Sequence, residues 1–143
     1  MPVSHRIAKL LKKNGFNEPC YMVSKKGVYY KVDGAEFTMI DGVMFQTTTN
    51  SKLPDNFFTA PTIEQAVDWF EKTYGVWIYV TPFSNASKTK IFWESHAKGS
   101  SIKTISSSSR DYLKYRRFMD DFVSSKQAIE AAFEFFLTDQ HKK

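Results

Sequence analysis

The sequence predicts an α+β domain in which an antiparallel β-meander and a strand pair pack with about four helices. Three observations predict it. One amphipathic segment carries both the start and the stop signals of a helix, two Asp-Gly pairs sit among β-prone residues, and a long alternating run follows that capped helix directly. The 143 residues are enough for a single domain spanning 1–143 that buries roughly 70% of its unfolded surface.

The stretch from Ala60 to Phe83 is the most legible. Thr62 is placed as an N-cap after Pro61, and Gln65 stands three residues on, in capping-box position. Ile63, Ala66, Val67 and Phe70 recur at helical spacing, and Gly75 supplies a left-handed stop. Val76 to Phe83 then alternates as a strand with large side chains on both faces. At the N-terminus Val3, Ile7, Leu10 and Leu11 form an apolar stripe that Gly15 ends, with Phe16 placed for the contact that accompanies a Schellman cap.

Short strands follow. Tyr21–Ser24 and Val28–Val32 flank a Lys25-Lys26-Gly27 turn, and Asp33-Gly34 and Asp41-Gly42 are two further hairpin signals. They predict a meander of four strands ending near Thr47. Thr48 to Thr59 is polar and reads as an exposed connection. Past the 76–83 strand, Lys90 to His96 reads as its antiparallel partner, with Ile91 and Trp93 on one face and Phe92 and Glu94 on the other. Ser101 to Ile105 is a weaker third strand. Ser109 caps a helix over 110–122, and Ser124, with Gln127 in capping-box position, opens the last one, which buries Ile129, Ala132, Phe133, Phe136 and Leu137.

Composition narrows function more by exclusion. One cysteine, Cys20, forms no internal bridge, and no secretory segment or run of eighteen apolar residues is present, so the expected setting is cytoplasmic, with no membrane. The net charge of +5 is arranged in blocks: residues 1–31 hold seven basic groups against Glu18 alone, and 33–72 hold seven acidic groups against two basic. Such polarity steers a partner or serves complementarity within the molecule.

The segments IAKLLKKNGFNEPCY (Ile7–Tyr21), APTIEQAVDWFEKTYGVWIYV (Ala60–Val80) and SSKQAIEAAFEFFL (Ser124–Leu137), taken in this order, resemble a group of small uncharacterised proteins of phages and prophages of Bacteroides-type bacteria. In that group a basic amphipathic helix ending in a GF-EPC turn precedes a Pro-Thr-capped helix, a strand pair and a terminal amphipathic helix. The resemblance covers roughly a third of the chain and rests on caps, turns and core faces. It implies an origin and a layout, and no catalytic residue. The meander at 21–47 and the segment 110–118 depart from the group's pattern.

Candidate contact residues fall in two places. Arg110, Tyr112, Lys114, Arg116 and Arg117, with Tyr115 and Phe118, mix cations with rings, as a nucleic-acid site needs for phosphates and bases. On a helix, Tyr115 and Phe118 join a buried stripe and the cations form an ordinary solvated face. Trp77, Tyr79 and Trp93 are able to line one sheet face as a stacking platform or a protein anchor, or to be covered as core. Glu94 and His96, two apart on a strand, are the best acid–base pair, yet nothing supplies a nucleophile beside them. Cys20 reads as packed. The three histidines are scattered, so no metal or cofactor is expected. The reading is a non-enzymatic binding protein whose partner is a host or phage protein, with homo-oligomerisation compatible with it. The alternatives are a nucleic-acid module using 110–118 and, third, a hydrolase or small-ligand protein around Glu94 and His96.

Overall fold

The computed structural model describes residues 1–84, 91–99, 102–106 and 124–139. Among these it is a mixed α/β chain with small antiparallel sheets and three α-helices. The fourth helix expected over 110–122 lies outside the described residues. Contacts divide the chain into two compact units, Met1–Ala66 and Val67–Lys143.

In the first unit, helix α1 (His5–Lys13) is capped by Ser4, whose hydroxyl accepts from the Ile7 N–H. Its end is a Schellman motif: Phe16 N–H donates to the Leu11 carbonyl and Gly15 N–H to that of Lys12, with Gly15 at φ 93°. Val3, Ile7 and Leu11 of the expected stripe are buried with Phe16, whereas Leu10 is only half-buried and Ala8 takes its place in the core. Strands β1 (Met22–Lys25) and β2 (Val28–Lys31) form a hairpin, and β5 (Phe58–Thr59) adds to the other side of β1, giving the order β2-β1-β5. Strands β3 (Phe37–Ile40) and β4 (Val43–Gln46) form a separate two-stranded sheet.

The expected meander is therefore two hairpins in two sheets. Lys26-Gly27 and Asp41-Gly42 have positive φ at both turn positions, the type I′ geometry that matches strand twist. Gly34 has no left-handed conformation, and Val32 to Glu36 is a link rather than a tight turn. The polar stretch after Thr47 is also more structured than its composition suggests. Buried Asn50, in a 3₁₀ turn over Asn50–Lys52, donates from Nδ2 to the Phe16 carbonyl (2.9 Å) and accepts at Oδ1 from the Thr59 N–H (2.8 Å). Lys12 ties down the same stretch through the Pro54 and Phe57 carbonyls.

Helix α2 (Ile63–Tyr74) starts in the first unit and ends in the second. Its capping box is reciprocal: Gln65 N–H donates to Thr62 Oγ1 (3.1 Å) and Thr62 N–H to Gln65 Oε1 (3.0 Å). Gly75, at φ 68°, closes the helix with a bond to the Glu71 carbonyl. In the second unit, β6 (Val76–Ser84), β7 (Ile91–Gly99) and β8 (Ile102–Ser106) form an antiparallel sheet in that order. Helix α3 (Ser125–Glu134), capped by Ser124, packs on β6 and β7 and continues as a π-helical turn over Phe135–Asp139. Phe70 stacks on Phe133 (5.0 Å between centroids, 8° between planes) and meets the edge of Phe136, so the core is aromatic.

A candidate binding surface on the β6–β7 sheet

Successive side chains of a strand point to opposite faces, and β6 sorts its large residues accordingly. Val76 and Ile78 are buried, whereas Trp77 is 57% exposed and Tyr79 half-buried. The antiparallel register then sets Lys98 across from Trp77, His96 across from Tyr79 and Glu94 across from Thr81. The Tyr79 and His96 rings stack at 4.9 Å with 14° between planes. His96 Nε2 shares a hydrogen bond with Thr81 Oγ1 at 2.8 Å, and the indole of Trp77 lies 6.0 Å from the Tyr79 ring, tilted by 54°. Lys98 is exposed.

Cross-strand pairs of this kind hold each other in place, so the face is ordered before any partner arrives. It offers one open indole, a phenol–imidazole stack and an ammonium group. Trp and Tyr are the residues that most often anchor protein interfaces, because they bury much area at little cost in rotamer freedom.

Of the residues singled out in the sequence, Trp77 and Tyr79 come together as expected. Residue 93 pairs across the ladder with Pro82, in the alternate register shared with 76 and 78. The Trp93 side chain, expected on the face of Trp77 and Tyr79, lies outside what the structure describes. Arg110, Tyr112, Lys114, Arg116 and Arg117 lie outside the described residues. His96, read from the sequence as half of an acid–base pair, is a member of the aromatic face. Only the register could reveal that, although a histidine at alternating spacing in a strand opposite Trp-x-Tyr was its one local signal.

The first unit carries other surfaces. Phe37, Met39 and Met44, adjacent across the β3–β4 ladder, are all exposed. A groove of about 440 Å³ has Val23, Val32, Asp33, Leu53, Pro54 and Phe57 among its lining residues. Cys20 is packed as expected. Its backbone bridges to Thr48, and burial pushes its thiol up to about 12. Among the described residues no three His, Cys, Asp or Glu gather as metal ligands, and no helix is long and apolar enough to cross a membrane. No family model, curated protein or solved structure matches the chain.

Proposed function

We propose that this chain is a non-enzymatic binding protein of phage or mobile-element origin. It acts in the host cytoplasm by occupying a surface of a host or phage protein, as an inhibitor, regulator or assembly component. The observation that carries the reading is Trp77, exposed over more than half its surface beside an already ordered Tyr79–His96 stack. Leaving an indole in water forgoes the favourable burial of a large apolar surface, which a partner recovers on docking.

A protein partner suits this face better than a nucleic acid. Tyr79 and His96 present ring faces to each other, so among the described side chains Trp77 is left as the open stacking surface, and Lys98 is the described cation the register places beside it. Nucleic acid wants several cations along a backbone track and successive free rings. The nucleic-acid alternative rests instead on the sequence of 110–118.

The test is affinity capture from expressing cells with the wild-type chain and the Trp77→Ala variant, quantified side by side. The reading expects a defined protein partner on the wild type and at least about tenfold less on the variant. Equal capture by both removes the aromatic face from the function. Binding of single-stranded oligonucleotide that weakens steeply with salt, with no protein partner, selects the alternative.

A further inference from the structure

We propose that the chain self-associates through the outer edge of β2, pairing antiparallel with the β2 of a second copy across a two-fold axis at Tyr30. The inference is independent of the β6–β7 face, because it concerns only the first unit.

β2 is the end strand of the β2-β1-β5 sheet, and an end strand presents backbone donors and acceptors along its outer side. The chain is exposed from Lys26 to Val28 and again at Tyr30 and Lys31. Two apolar side chains stand out there: Val28 is 53% exposed and Tyr30 48%. Both lie in the register of Val23, the face away from α1, which covers Ser24 through His5 and is tied to the strand through Tyr29 and Val3. An end strand with an apolar outer row is the kind that adds a further strand.

Charge and ladder length select the register. Lys25 and Val28 close the two-residue turn, and Val32 N–H bonds to the Tyr21 carbonyl, so Lys31 belongs to the set that faces away from β1. Centring the axis on Lys31 would oppose two like charges, which destabilises a cross-strand pair. Centring it on Tyr29 would end the ladder after three residues, because the Lys26-Gly27 turn intervenes. With the axis at Tyr30, Val28 faces Val32 of the second copy, Lys31 faces Tyr29, and Tyr30 faces itself. Lys26, in the turn, then lies beside Asp33 of the second copy at each end of the ladder. Lys26 and Asp33 are both exposed, and neither has a partner among the described residues. Lysines on an edge usually discourage pairing; in this register none stands directly opposite another.

The test is sedimentation velocity over a wide concentration range, with circular dichroism to verify folding. The wild type is expected to shift from monomer to dimer. Tyr30→Lys, which sets two ammonium groups face to face at the axis, raises the dissociation constant by at least about tenfold. Lys26→Asp and Asp33→Lys each weaken the dimer, and the double exchange restores it, because every charge again meets its opposite. These two surface positions leave the β1–β2 ladder intact, so the exchange reads association even if Tyr30→Lys fails to fold. A wild type that stays monomeric throughout, or a double exchange weaker than either single variant, overturns the proposal.

Discussion

At the scale of single residues, Asn50 and Cys20 show how much of the first unit depends on buried polar groups. The Asn50 amide satisfies one backbone acceptor, at Phe16, and one backbone donor, at Thr59. Truncation leaves both without a partner away from water. Asn50→Ala is therefore expected to cost about 3 kcal/mol, read from the shift in urea midpoint, while exposed Asn56→Ala changes little. Cys20 gives a pH dependence of definite sign. Its thiol is raised from 9.0 to about 12 by burial, so the folded state holds the proton that the unfolded chain releases. Stability from this group is complete below 9.0 and falls as pH rises toward 12. One unit above 9.0 the loss is about 1 kcal/mol. Unfolding titrations on the alkaline side should show this slope in the wild type and its reduction in Cys20→Ala. Neither Asn50 nor the depth of Cys20 can be read locally, since both depend on chain segments dozens of residues away.

At the scale of elements, the caps were readable from the residues that make them. The Thr62–Gln65 box, the Gly15–Phe16 Schellman turn and the Ser124 cap each involve residues within about one or two helical turns, so neighbours alone decide them. Turns are a harder case, and three glycines make the point. Gly27 and Gly42 sit at φ 81° and 80°, where a Cβ is crowded against its own backbone. Gly34 has no such φ, and a Cβ there meets only Val32 Cγ1, at an ordinary 3.9 Å. Alanine at 27 or 42 is thus expected to cost about 1 kcal/mol or more, and at 34 nearly nothing, by thermal or urea unfolding of the three variants. Asp33-Gly34 and Asp41-Gly42 read alike in sequence. They differ because β1 takes β5 on its far side and β2 keeps an open edge, so the chain after Val32 has no tight return to make. The two-residue strand β5 was invisible for the same reason: Phe58–Thr59 is a strand only because β1 lies beside it.

For the whole molecule, the contrast that matters is between rings used for folding and rings left for contact. Phe133, fully buried and stacked on Phe70, is a core residue, and Phe133→Ala is expected to cost about 3–5 kcal/mol. Trp77→Ala, on the open face, should cost less than about 1 kcal/mol in the same assay while removing partner capture. If Trp77→Ala proves as destabilising as Phe133→Ala, the open face is a structural surface after all. The sequence by itself determined the three described helices and their caps, because periodicity and capping act over a few residues and are written in adjacent side chains. The buried stripes were legible in part, since Leu10, Ile63 and Val67 are only half-buried and Ala8 and Trp69 are buried in addition. Only the tertiary structure decided which strands share a sheet, that residue 93 pairs in the register of 76 and 78, and that His96 stacks on Tyr79. Strand register is a relation between distant segments, and a slip of one residue turns every side chain to the other face.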